Sequence, residues 1–234
     1  MSPNPTLLLP PDICFKLADQ PWEEEAIHRL NHRTFAEEIP QHEVRPDGRL
    51  VDRFHDSNVY QIALQGTALA GMLALRFDRP FSVEQKVPES MAALPAGRQW
   101  CEVRLLAVEP RFRGSGLLAG LLRSALPVAR ARGCDAALIS ATTRQLKLYG
   151  HMGFTAFGPL IGREGAWYQP MWVALDQLGL AVPVLADPGK KEPVILLPGP
   201  VAVAGWVRAD FEQTARSHRA GGVAHGGGHP AKVE

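Results

Sequence analysis

Residues 111–116 read Arg111-Phe112-Arg113-Gly114-Ser115-Gly116, and the apolar residues that follow fall into helical spacing. These residue types in this order suit an anion. Glycines let a turn pass close to a ligand, and a helix starting near Ser115 offers unpaired N–H groups and the positive end of its dipole. Arg111 and Arg113 add positive charge, while Gly114 and Gly116 remove side chains that would obstruct a phosphate. A pyrophosphate fits such a cradle. Taken alone, the turn has a second reading, a strand-to-helix connection with no ligand. Two other nucleotide sites are disfavoured. No Lys-Ser or Lys-Thr follows the glycines, as a Walker phosphate loop requires, and the three-glycine dinucleotide fingerprint with its acidic residue is missing.

Glu102 has the chemistry of a general base acting on an amine through water, and equally that of a solvated charge at a strand end. His151 lies near Gly150 and Gly153, where a helix-end residue favouring the dipole is the alternative to an acid or base. Cys101 has no histidine pairing in the pattern and reads as a small buried hydrophobe. Cys14, Cys101 and Cys134 have no metal-ligand spacing, so neither a zinc site nor a disulfide framework is expected. No metal is expected.

These residues need elements to hold them. Residues 13–18 read as a strand and 22–35 as a helix with Ala26, Ile27, Leu30 and Phe35 at helical spacing. A short helix is expected near 50–54, then a hairpin of 59–64 and 69–77. The proline-punctuated stretch 78–97 suits a lid or an insertion. Residues 100–108 form a strand ended by Glu109-Pro110, and 115–132 a helix stopped by Gly133. Pro127 predicts a kink or an early end in that helix. A strand at 136–140, a helix at 143–151 and strands at 154–157 and 167–175 follow. The alternation predicts an α/β or α+β sheet with helices on both faces. The expected domains are an N-terminal extension (1–12), the main domain (13–176), a proline-rich extension (177–220) with one helix near 201–215, and a disordered glycine-rich tail (221–234). His225 and His229 in that tail read as part of a flexible His/Gly segment.

The 234 residues carry 25 basic and 24 acidic side chains, which leaves no electrostatic footprint for nucleic acid or an anionic membrane surface. No apolar stretch approaches the roughly 20 residues needed to span a bilayer. The Leu7-Leu8-Leu9 run lacks a basic segment before it and is flanked by prolines, so it does not read as a signal peptide. A cytoplasmic location with reduced thiols is expected.

Two segments in register carry a family resemblance. Leu106-Ala107-Val108-Glu109-Pro110-Arg111-Phe112-Arg113-Gly114-Ser115-Gly116 and, about thirty residues on, Leu148-Tyr149-Gly150-His151-Met152-Gly153-Phe154 resemble the acetyl-CoA core of the GCN5-related N-acetyltransferases. The resemblance implies that fold, with a mixed central sheet whose strands part in a V to admit the pantetheine arm. It implies that backbone groups near Leu106 and Val108 align the arm and polarise the thioester. It also implies that Arg111, Arg113, Gly114, Ser115 and Gly116 hold the pyrophosphate, and that Tyr149 is the proton donor. The family often has Asn where this chain has Thr142, which puts direct cofactor contact there in question. The implied reaction is direct attack of an amine on an acyl-CoA, acetyl-CoA first and a longer acyl-CoA second. A module of the same fold that binds acyl-CoA without turnover is the contrasting class.

A fainter likeness lies in residues 29–38, similar to autoinducer synthases and long-chain N-acyl amino acid synthases, which implies that Arg33, Phe35 and Glu38 shape the acceptor side and that the donor is a fatty acyl thioester. Residues 195–201, with Val207 and Ser217-His218-Arg219, resemble the opening of class V pyridoxal-phosphate aminotransferases, too briefly to hold that activity. The expected partners are a small-molecule amine or amino acid, with a homodimer and association with an aminotransferase chain as further alternatives.

Overall fold

In the computed structural model, which describes residues 9–181, apolar runs, nearly continuously buried in the central strands, build one seven-stranded sheet. Its strands are β1 (Ile13–Leu17), β2 (Asn58–Gln65), β3 (Ala68–Arg76), β4 (Trp100–Val108), β5 (Ala136–Thr142), β6 (Thr155–Ala156) and β7 (Tyr168–Ala174). The helices are α1 (Pro21–His32), α2 (Leu117–Ala131), α3 (Leu146–His151) and α4 (Leu175–Ala181). The helix expected at 201–215, the aminotransferase-like stretch, the glycine-rich tail with His225 and His229, most of the 177–220 extension and residues 1–8 lie outside the described residues.

The strands lie in the order β1-β2-β3-β4-β5-β7-β6, and every pair is antiparallel except β4 with β5. A parallel pair needs a crossover, which α2 supplies. The mixed α+β architecture with helices on both faces is the one the sequence predicts. On one face Leu117, Leu121, Leu122 and Ala125 of α2 pack with Phe15, Leu73, Leu75, Cys101 and Val103. On the other, Ile27 and Leu30 of α1 cover Tyr60, Ile62, Met72 and Ala74.

The approach of α2 to the sheet depends on a missing side chain. A Cβ at Gly120 would stand 2.1 Å from Phe15 Cζ, and Phe15 is itself buried, so its ring has little room to turn aside. Gly120→Ala is therefore expected to destabilise the fold by about 1–3 kcal/mol, read as a lower urea midpoint at unchanged slope. An unchanged midpoint would show that the contact is loose.

Two local expectations differ, and a third is narrowed to one of its alternatives, an insertion. Helix α2 continues through Pro127 to Ala131, because Leu121, Leu122, Ala125, Leu126 and Ala129 are all buried and their packing outweighs one lost backbone bond. Residues 50–54 hold no helix. Leu50 is tied to α1 through its N–H to the His28 carbonyl (3.0 Å) and its own carbonyl to Asn31 Nδ2 (2.7 Å), which draws the segment inward. The 78–97 stretch is anchored by Phe81, Val83 and Val87, which pack with Leu138 and Phe157.

Candidate active site

Strands β4 and β5 pair only from Trp100 with Ala136 to Val103 with Ile139, although β4 continues to Val108 and β5 to Thr142. Beyond Val103 the two strands part, forming the V the resemblance implies. Backbone groups of β4 that face the gap have no strand partner in β5, so they are free to meet an extended ligand.

A bulge sits at the start of this gap. Leu105 takes a left-handed φ of 52°, and two residues of β4 oppose one of β3 between the pairs Ala74–Arg104 and Met72–Ala107. The extra residue exchanges the faces of the strand. Cys101 and Val103 lie in the α2 core and so, after the bulge, do Leu106 and Val108; Leu105 and Ala107 join the α1 core.

Two cavities meet at this fork. A narrow cleft of about 150 Å³ is lined by Leu106, Val108, Arg113, Thr142 and Tyr149, and from the other side by Phe35 and Glu38. A larger cavity of about 940 Å³ is lined by Asp52, Arg104, Glu102, His42 and Lys86, among others. Phe35, Leu105 and Ser140 border both. Ser140 Oγ is buried without a hydrogen-bond partner.

Helix α1 opens into a π-helical turn, Arg33–Glu38, closed by the Ile39 N–H to the Thr34 carbonyl at 2.9 Å. Such widened turns gather at functional sites, and this one carries Phe35 and Glu38 to the cleft. Glu38 does not lie on the large cavity. It receives both terminal nitrogens of Arg113 at 2.7 and 2.6 Å, and Arg113 Nε donates to the Val108 carbonyl at 2.9 Å. Arg113 thus straps the cleft where a donor's arm would pass. Arg33 pairs with Glu109 and lines neither cavity. Arg111 is exposed and stacks over Phe112 at 4.5 Å. Gly114 turns the chain with φ 80°, Ser115 Oγ donates to the Phe112 carbonyl at 2.6 Å, and Gly116 precedes the first turn of α2.

Tyr149 packs edge-on against Phe154, and burial pushes its phenol up to about 12. The hydroxyl therefore holds its proton through the neutral range, as a donor must. Glu102 stands in the other cavity. Its carboxylate accepts from the Ser82 N–H (2.7 Å), Ser82 Oγ (2.6 Å) and the Val83 N–H (2.9 Å), so it also anchors the 78–97 stretch. His151 is exposed, and Cys101 is fully buried.

Sequence reasoning missed most of the large cavity. Asp52 accepts from Arg104 Nη1 and Nη2 at 2.5 and 3.0 Å and from Asn58 Nδ2 at 2.8 Å. Burial raises the Asp52 carboxyl, but Arg104 and Asn58 more than offset it, and the net direction is down. The imidazole of His42 is lowered first by burial, then by Lys86, Arg104 and Arg163 against the opposing Asp52. The available signal was Arg104, a charge two residues after Glu102 and so on the same face of a strand. Among the described residues no group of three or more His, Cys, Asp or Glu could hold a metal, and no helix is long and apolar enough to cross a membrane.

Comparison with known proteins agrees with this geometry. The family model for N-acyl amino acid synthase FeeM matches residues 26–172. The structure of FeeM from uncultured soil microbes superposes with a TM-score of 0.58 at 20% identity, over 72% of this chain and 96% of that one. A CoA-dependent acyl-homoserine lactone synthase, BjaI, solved with SAM and isopentyl-CoA, gives a TM-score of 0.62 at 24% identity, over 85% and 98%. A proposed N-acetyltransferase from Lactobacillus plantarum gives 0.51 at 17%, over 70% and 98%. No curated protein matches the chain. The family match covers well over half of the chain and includes the fork, the bulge and both cavities. The chain is an acyltransferase and belongs to the N-acyl amino acid synthase FeeM family.

Proposed function

We propose that the enzyme transfers an acyl group longer than acetyl from a CoA thioester to the amine of an amino acid, by direct attack and without a covalent enzyme intermediate. The observation that carries this reading is the junction at Phe35, Leu105 and Ser140, where a cleft beside the arginine-glycine turn opens into a cavity of about 940 Å³. That volume is near the upper end of ordinary ligand pockets, about 300–1,000 Å³, and exceeds what an acetyl group and a small amine would fill.

The donor's pyrophosphate rests on the turn from Arg111 to Gly116, and its arm lies along the unpaired edge of β4 near Leu106 and Val108. This requires Arg113 to release the Val108 carbonyl and exchange Glu38 for phosphate. The acceptor's amine attacks the thioester carbon from the large cavity. Its proton leaves through water toward Glu102 or His42, whose lowered imidazole is neutral near pH 7. The carbon–sulfur bond breaks, and Tyr149 donates a proton to the departing thiolate. Thr142 and Ser140 line the path with hydroxyls. Free Cys14, Cys101 and Cys134 suit a reducing compartment, and the cytoplasm is the proposed location.

The cavity also bears on the kind of acceptor. BjaI was solved with SAM, a sulfonium. Here the lining includes Arg53, Lys86, Arg104 and Arg163 against Asp52 and Glu102, a balance that disfavours a cation and favours a carboxylate. Incubating the enzyme with acyl-CoAs of increasing chain length and a panel of amino acids is expected to release CoA thiol and give N-acyl amino acids by mass spectrometry, with no product from SAM. Thiol release indifferent to every amine, or a preference for acetyl-CoA, would count against the proposal.

A further inference from the structure

The large cavity carries more positive charge than one carboxylate requires. Of its four cations, only Arg104 is matched: it meets Asp52 at 2.5 Å, and its Nε lies 3.6 Å from Glu102. The other three have neutral partners. Arg53 donates to Gln85 Oε1 and stacks on Phe54 at 4.5 Å, Lys86 Nζ sits 4.4 Å from the Tyr168 ring centre, and Arg163 donates to the Pro40 carbonyl at 2.7 Å. Among the described residues none of these three is paired with a carboxylate.

They come from three separate segments, before β2, between β3 and β4, and between β6 and β7. They nevertheless border one cavity. His42 borders the same cavity, and its imidazole is lowered first by burial and then by Lys86, Arg104 and Arg163 against Asp52. All three are exposed, so water screens them from one another, and they remain available to an anion that enters the cavity from solvent.

We infer that the acceptor is an amine carrying two anionic groups, an aminodicarboxylic acid or a phosphorylated amino acid. The inference rests on the reading of this cavity as the acceptor site. At the moment of attack the amine is neutral, so a monocarboxylic amino acid brings one negative charge and leaves the lining's surplus of two half answered. A second anion answers it. Arg104 keeps Asp52 and Glu102 occupied, so neither carboxylate repels the ligand with its full charge.

The test compares isosteric acceptors at a fixed acyl-CoA. For aspartate over asparagine and glutamate over glutamine, kcat/KM is expected to be greater by about tenfold or more, the worth of a charged hydrogen bond. O-phosphoserine against serine distinguishes phosphate from carboxylate as the second anion. Lys86→Met and Arg163→Gln are expected to narrow these ratios by lowering the anionic acceptors more than the neutral ones. Equal or faster acylation of the neutral member in every pair would overturn the inference while leaving amino acid acylation intact. Should no amine be acylated at all, ligand-dependent thermal shift of the same protein still decides. Stabilisation by glutamate or phosphoserine but not by glutamine or serine supports the dianion, and equal shifts overturn it.

Discussion

Tyr149→Phe is expected to lower kcat by about 10²–10⁴-fold while the dissociation constant for acyl-CoA stays close to that of the parent enzyme. The phenyl ring keeps the edge-on contact with Phe154 and fills the same wall of the cleft, so the substitution removes a hydroxyl and little else. The departing thiolate then leaves without a proton from the protein, and the loss falls on the chemical step. Single-turnover thiol release and calorimetric titration of acyl-CoA separate the two quantities. Burial holds the phenol near 12, so the parent enzyme should lose no activity through Tyr149 at pH 10, where an ordinary tyrosine is about half ionised. An unchanged kcat in the variant would remove Tyr149 from the chemistry.

Arg104→Met is the second large effect, and it is one of stability. The Arg104 and Asp52 side chains are only 11% and 9% exposed, so removing the guanidinium leaves a buried carboxylate unpaired and Glu102 without its neighbouring cation. A loss of about 3–5 kcal/mol is expected at pH 7. Its pH dependence reverses as well. In the parent the Asp52 carboxyl is lowered from 3.8, so the stability it contributes is present above that value and disappears as pH falls through the lower folded value. In the variant burial acts without opposition from Arg104, and the folded value rises. The cost is then absent in acid and grows as pH climbs toward neutrality. Urea unfolding at pH 5 and pH 7 should show a gap between parent and variant that is wider at pH 7, on top of the fall toward pH 5 that the lowered imidazoles of His28 and His42 impose on the parent. Parallel behaviour of the two proteins would mean that Asp52 is held by other groups.

The parts of the molecule with local rules were the legible ones. Strands β2 to β5 announce themselves by apolar runs and turn residues, and the turn at Gly114 together with Tyr149 marks the proposed donor side because each motif is contiguous. The large cavity has no such signature. His42, Asp52, Arg53, Lys86 and Arg163 sit in connecting segments brought together only by the fold. Leu105 gives no warning either, since glycine, Asn or Asp is the usual sign of a left-handed residue and leucine is not. Pro127 misleads in the opposite sense, because a local rule about one backbone bond yields to five buried neighbours on the same helix.

The bulge at Leu105 has an evolutionary meaning. On either side of it the strand's alternation is offset, so Glu102 and Arg104 line the large cavity, the proposed acceptor site, whereas Leu106 and Val108 line the cleft, the proposed donor groove. Substitutions before the bulge can therefore change which amine is accepted without redrawing the thioester's path, and substitutions after it can do the reverse. A lineage with this bulge can diversify its two substrates as independent traits. Removing Leu105 would make β4 a regular strand, with Leu106 and Val108 still on the α2 face, and would take away only the extra length that separates the two walls.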